Sequence, residues 1–480
     1  MNPQELRASI LASLPAQTST SANAPPQVFH LPFGHFKVLE PQANIVSGGR
    51  GAGKTFWAAM LTNNTMIANL VTIEPSLSGF SGVTGFAERS AIESYPDERT
   101  FRQLLQQGVD AEDIWLGVVV RNVAAVSEEE VPSSSWPETV TWVATQPEKV
   151  ARLLEAADAS LEKEGFGRLY VFDALDRTAR DWASMDLILK GLLRLVLRLR
   201  SFGRLRAKVF LRDDQLTRAV SAFPDASKLT ATMVELHWQA HDLHALLWQY
   251  LINGPGAEGE WLRGLYEETT GLPVRRGFER YVVGPNVQRD SRPQRALFEA
   301  LAGKSMGRDH RRGVPYVWIV SHLSDALRRA SPRSFLAAIR EAAEDSLDRY
   351  PDYELPLHYE SIKRGVQSAS RIRVQEIAED FPWVRTALEA LGGLSVPCVF
   401  EQIESRWTES FPNGLPQDAE ATGAFLPPPH GSSWKGVAGD LERLGIFETM
   451  SDGRVNMPDL YRVGFGLGRR GGVRPTNAPR

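Results

Sequence analysis

The residues Gly48-Gly49-Arg50-Gly51-Ala52-Gly53-Lys54-Thr55 carry the most legible chemistry in this chain. A glycine, four residues and then Gly-Lys-Thr is the phosphate-binding loop pattern. Its glycines let successive backbone N–H groups turn inward around an anion, helped by the positive end of the helix that follows. Lys54 would reach the β/γ oxygens of a nucleoside triphosphate, and the Thr55 hydroxyl would ligate Mg²⁺. With Phe56, the segment 48–56 is the expected nucleotide cradle. The apolar run Ala43-Asn44-Ile45-Val46 reads as a strand before it, and Phe56–Leu61 as a helix after it. That is the context the motif requires.

A loop of this kind needs an acid beside it. Arg168-Leu169-Tyr170-Val171-Phe172 is an apolar strand ending in Asp173, which is placed to hold Mg²⁺, through water, opposite Thr55. Ala174 follows; the AAA+/STAND ATPases that this loop and strand resemble usually carry a catalytic glutamate there, and the resemblance makes Asp176 the substitute proton acceptor, with Glu74 as its competitor. Ala207–Leu211 reads as a further strand, with Arg212-Asp213-Asp214 at its tip. Arg212 is a candidate γ-phosphate sensor. Arg333 is a second candidate, early in a helix capped by Ser331 with Pro332 at its first position.

The elements that must position these residues alternate between strand and helix, which predicts a parallel, helix-covered sheet. Ligands of such sheets bind at the carboxyl ends of the strands. A chain of 480 residues exceeds one core. The expected division is a disordered segment 1–27, a phosphate-loop core 28–250 with an insertion at 75–165, a helical lid 251–372, a winged helix 373–466 and a disordered basic tail 467–480. Asn69–Glu74 is read as the second core strand and Met233–Trp238 as the fifth. The winged helix rests on three helices, Trp383–Leu391, Val396–Trp407 and Trp434–Leu444. A hairpin follows, Ile446–Met450 with Val455–Met457 across Ser451-Asp452-Gly453-Arg454.

Composition narrows the partners. Net charge is -4, so a nucleic-acid contact would have to be a local patch. The one cysteine, Cys398, excludes an internal disulfide framework and suits a reducing cytoplasm. No apolar run reaches the roughly 18 residues needed to span a bilayer, so no membrane partner is expected.

Taken together, the loop, the strand ending Asp173-Ala174-Leu175-Asp176, the polar-tipped strand, a helical region carrying Pro332-Arg333 and a terminal winged helix resemble AAA+/STAND phosphate-loop ATPases, including the archaeal–eukaryotic initiator type. The acidic strand is similar to the STAND form, with a second carboxylate three residues on, and Gly271-Leu272-Pro273 is a short match to the Gly-x-Pro element of STAND lids. The resemblance implies ATP and Mg²⁺ as cofactors and an ATP-driven switch. Such switches are often homo-oligomeric or coupled to a partner protein and, in bacteria, are frequently part of anti-phage systems. Arg212 would then read the γ-phosphate in cis or act as a finger across a subunit boundary.

Other readings stand beside this one. The winged helix invites a DNA-binding loader or regulator, but in Trp434–Leu444 the cations Lys435 and Arg443 are matched by Asp440 and Glu442. That balance favours protein docking or autoinhibition, with Arg454 and the tail arginines on the other side. A nucleotide-gated adaptor with little hydrolysis is the third reading, and a small-molecule kinase the fourth. His237, His241 and His244 have helical metal-site spacing without a fourth ligand, and packing is the favoured reading. No Asn/Thr-Lys-x-Asp guanine element is present.

Overall fold

The computed structural model describes residues 2–16, 29–124, 130–216, 226–277, 280–307, 312–416, 428, 430–469 and 473. The chain forms two compact units that divide between His237 and Trp238. The first is built on five strands: β1 (Ile45–Ser47), β2 (Phe80–Phe86), β3 (Gly167–Phe172), β4 (Leu205–Leu211) and β5 (Val234–Glu235). They pair in the order β2-β3-β4-β1-β5, and every pairing is parallel. Both β3 and β4 are largely buried beneath helices; β3 reads as a nearly continuous hydrophobic run, while β4 also carries Arg206 and a fully buried Lys208 whose amine donates to the Glu40 and Ala43 carbonyls.

The second core strand is not where the sequence placed it. Residues 69–74 end a helix, Asn64–Leu70, and then turn. Asn63 caps that helix by accepting the N–H groups of Thr65 and Met66. The strand itself is β2, inside the expected insertion, and its glycines hid it, since glycine weakens strand propensity. Here they are steric necessities. A Cβ on Gly82 would sit 1.9 Å from the Leu61 carbonyl oxygen, and one on Gly85 would sit 2.4 Å from the Phe172 ring. The loop-bearing helix Lys54–Thr62 therefore packs directly on β2.

The true insertion lies between β2 and β3 and carries the helices Glu98–Gln106, Ala111–Ala124, Trp136–Thr145 and Pro147–Glu164. The apolar residues 114–120 lie in the buried part of the helix Ala111–Ala124. Trp115 packs edge-on against Phe172 with ring centroids 5.3 Å apart, touches Phe86 at 5.8 Å and Phe101 at 4.8 Å, and donates its indole N–H to the Ile188 carbonyl. This aromatic cluster fixes the residue immediately before Asp173.

The second unit takes in the helix Ala240–Ile252, so the core ends at His237 rather than 250. Ten of that helix's residues are buried among the helices that follow it. The segment 1–27 is also not wholly disordered, because Pro3–Ser13 is a helix of this unit. Leu6, Ile10 and Leu14 join its core. Arg7, fully buried, donates to the carbonyls of Pro351, Tyr353, Pro356 and Leu355. A cation on the buried face is what disguised the pattern. The expected boundary at 372/373 falls inside one continuous helix, Tyr359–Asp380. Beyond it the winged helix is as expected: Pro382–Glu389, Phe400–Ser410, Trp434–Arg443 and the hairpin Glu448–Thr449 with Val455–Asn456. The start of the expected disordered tail is packed, with Leu467 and Val473 buried. Among the described residues no helix is long and apolar enough to cross a membrane.

Because Gly82 faces backbone rather than a yielding side chain, Gly82→Ala is expected to cost about 3 kcal/mol of the first unit's stability. Gly264, with open space around its Cβ position on the helix Gly256–Thr270, should gain up to about 1 kcal/mol as alanine. Urea midpoints of the two variants check both signs.

Candidate functional site

The loop leaves β1 held at the level of β4: Ser47 lies opposite Leu211, and the Gly48 N–H donates to the Leu211 carbonyl at 3.2 Å. Gly48 is tight, since a Cβ there would lie 3.1 Å from both Ala52 and Leu236. Gly51 and Gly53 have φ of 78° and 102°, where a side chain would be strained. The second of these turns the chain into the helix Lys54–Thr62, whose first N–H groups have no partner within the helix. Arg50 and Phe56 are half-buried on this loop, and the Phe56 ring meets Trp57 edge-on at 5.7 Å.

Lys54 folds back over the loop and donates to the carbonyls of Gly48 at 2.7 Å and Gly49 at 2.9 Å. Burial lowers its pKa to about 8; Asp173 opposes the shift, Arg212 adds to it, and Asp213 and Asp214 oppose it. The Thr55 hydroxyl stands on the same edge and acts to lower the pKa of the Asp173 carboxylate. Asp173 is buried at the end of β3, and its N–H is held by the Phe86 carbonyl at 3.0 Å. Burial pushes its carboxyl up, the Thr55 hydroxyl, the Ala174 amide and Lys54 pull it back, and Asp176 pushes it up again.

Ala174 adopts a left-handed conformation, φ 54° and ψ 37°, which turns the chain sharply into the short 3₁₀ segment Leu175–Arg177. Asp176 stands exposed on that turn, close enough to act electrostatically on Asp173. Arg212 sits at the tip of β4, the strand between the loop strand and the acid strand. Lys54, Thr55, Asp173, Asp176 and Arg212 therefore share one carboxyl edge of the sheet.

Other candidates lie elsewhere. Glu74 caps the 3₁₀ turn Pro75–Leu77 by accepting the Ser76 N–H, so it is not at a strand end and does not compete with Asp176. Arg333 belongs to the second unit, in the first turn of Pro332–Arg349, where the expected Ser331 cap is present. Its guanidinium pairs with Glu376 at 2.8 Å. His244 is buried with its Nε2 3.0 Å from the Tyr316 carbonyl and its ring stacked on Tyr316, and burial lowers its pKa to about 3. Packing is its role. Among the described residues no cluster of three His, Cys, Asp or Glu could hold a metal. Sequence reading noticed Asp213 and Asp214 at the strand tip but assigned them nothing; both prove to lie in the electrostatic surroundings of Lys54.

A strand–loop–helix with a lysine folded across the loop and a buried carboxylate at the end of a nearby strand defines a phosphate-loop α/β site. No protein-family model and no curated protein matches the chain. Among the solved structures similar to it are two archaeal proteins. The ORC2 protein of Aeropyrum pernix, in ADPNP–ADP complexes, shares 12% identity over 87% of this chain and 84% of that one, with a TM-score of 0.31. The ORC1 protein of the same organism, in complex with DNA, shares 14% over 92% and 95%, with a TM-score of 0.34. At such scores neither likeness carries an argument about the activity of this chain.

The lysine's shift has a consequence for stability. Its folded pKa of about 8 lies below the ordinary 10.5, so below pH 8 the fold carries a charged amine it would rather discharge. Lys54→Met is expected to raise the melting temperature at pH 7, the stability gain being at most about 3 kcal/mol. That advantage should shrink as pH rises from 8 to 10.5. Thermal melts across this range check the sign.

Proposed function

We propose that the chain binds ATP at the loop 48–56 and hydrolyses it slowly, and that the nucleotide state governs self-assembly or the grip on a partner protein. The observation that carries this reading is the convergence of the Thr55 hydroxyl, the buried Asp173 carboxylate and Lys54 at the mouth of the loop, where Thr55 and Lys54 both act to lower the pKa of Asp173. That donor set suits Mg²⁺, which prefers oxygen ligands and keeps several waters. When bound there, Mg²⁺ would neutralise charge on the β/γ oxygens. The loop amides and Lys54 hold the phosphates. Asp176, exposed on the rim, accepts the proton of the attacking water, and Arg212 reads the γ-phosphate. The sensor reading of Arg333, which lies in the second unit and pairs with Glu376, is carried by the sequence alone.

Ala174 in place of a glutamate is the reason for expecting slow turnover. The resemblance to AAA+ and STAND ATPases supports the switch and is the sole support for a role in anti-phage defence. A DNA-directed role draws less support from the winged helix, because Arg443 lies on Asp440 and Arg454 on Asp452 at 2.7 Å. Cations already neutralised offer little to phosphates, which favours protein docking.

Size-exclusion chromatography with light scattering tests the reading, with and without a non-hydrolysable ATP analogue and Mg²⁺. The analogue should bind and assemble wild type but not Lys54→Ala. Binding without a mass change would favour the nucleotide-gated adaptor, and no binding would end the reading. In single-turnover hydrolysis Asp176→Asn should lose about 100-fold or more.

A further inference from the structure

The pair formed by Arg212 and Asp214 has a geometry that the nucleotide reading leaves unused. Arg212 Nε lies 3.1 Å from Asp214 Oδ1, and Nη2 lies 2.8 Å from Oδ2, a two-pronged contact. The side chains are only 15% and 17% exposed, so this is not one of the solvated surface pairs that contribute little. The turn that carries it is fixed. The Arg212 N–H donates to Gln215 Oε1 at 3.0 Å, the Leu216 N–H donates to the Arg212 carbonyl at 2.9 Å, and Gln215 is buried against Met185.

Arg212 stands next to Leu211, whose carbonyl holds the first glycine of the loop. Its guanidinium thus reaches its carboxylate partner at the loop's own edge of the sheet. Two parallel N–H donors facing two oxygens is the arrangement a guanidinium makes equally with carboxylate and with phosphate. Asp214 and a γ-phosphate are chemically equivalent claimants for the same donors.

The geometry points to Asp214 as an internal stand-in for the γ-phosphate. It holds Arg212 while that phosphate is absent and yields the guanidinium when a nucleoside triphosphate is bound. Asp214 is then a positioning residue that sets the preference for triphosphate over diphosphate, because only the triphosphate competes for Arg212. This inference rests on the nucleotide reading above. A carboxylate that merely oriented Arg212 toward the ligand would have the opposite effect when removed, so the two roles separate by sign.

The test is a titration of wild type and Asp214→Asn with ADP and with a non-hydrolysable ATP analogue, both with Mg²⁺, on protein whose melting curve shows it folded. Removing the charge should tighten the analogue about five- to tenfold and leave ADP within about twofold. The gain should vanish in the Arg212→Ala background, and Asp214→Glu should restore the wild-type preference. Asp214→Ser serves in place of Asp214→Asn if the latter does not fold. An unchanged preference, a parallel change for both ligands, or weaker analogue binding would overturn the role of Asp214 while leaving the nucleotide site standing. Absence of any nucleotide binding by wild type would overturn both.

Discussion

The first unit holds an ionisable pair, Lys54 and Asp173, in a place where burial disfavours the charge of each. Burial moves the lysine's pKa down and the carboxyl's up, and the two are compensated by one another and by the Thr55 hydroxyl. Such a pair persists only when its surroundings leave it no alternative. Here the strain at Ala174 and the glycines of the loop fix the backbone on either side. The close packing of Lys54–Thr62 on β2 fixes the distance between loop and sheet. Each of these features is costly in isolation. Together they give the proposed nucleotide site a backbone already fixed in place.

The insertion between β2 and β3 acquires a physical meaning in this light. Trp115 rests on Phe172, one residue before Asp173, and is anchored in turn by the Ile188 carbonyl of a core helix. The insertion is therefore part of the wall that sets the position of the acid. A change in its helices can reach the site through Trp115, which packs on both Phe172 and Phe86.

Legibility followed the strength of local signals. The loop, β3 and β4 were readable because glycine spacing and largely apolar runs have few alternative meanings. The terminal hairpin was readable from Ser451-Asp452-Gly453-Arg454 alone. β2 was not, because Gly82 and Gly85 answer to a neighbouring carbonyl and a neighbouring ring, and no sequence window contains those partners. The N-terminal helix was missed for a similar reason: Arg7 belongs to a buried face through carbonyls more than 340 positions away. In the site, Lys54, Thr55 and Asp173 were legible from motif and strand pattern. The claim of Asp214 on Arg212 was not, since adjacent charges in a sequence say nothing about which of them share a face.

The account stands on Thr55 and Asp173 acting together on a metal-bound triphosphate. Electron paramagnetic resonance of Mn²⁺, in place of Mg²⁺ and with a non-hydrolysable ATP analogue, measures this directly. Wild type should hold one Mn²⁺ per chain only when the nucleotide is present. Asp173→Asn and Thr55→Val should each weaken that metal by about tenfold or more while still binding metal-free nucleotide through the loop and Lys54. Equal Mn²⁺ retention by wild type and both variants would contradict the account.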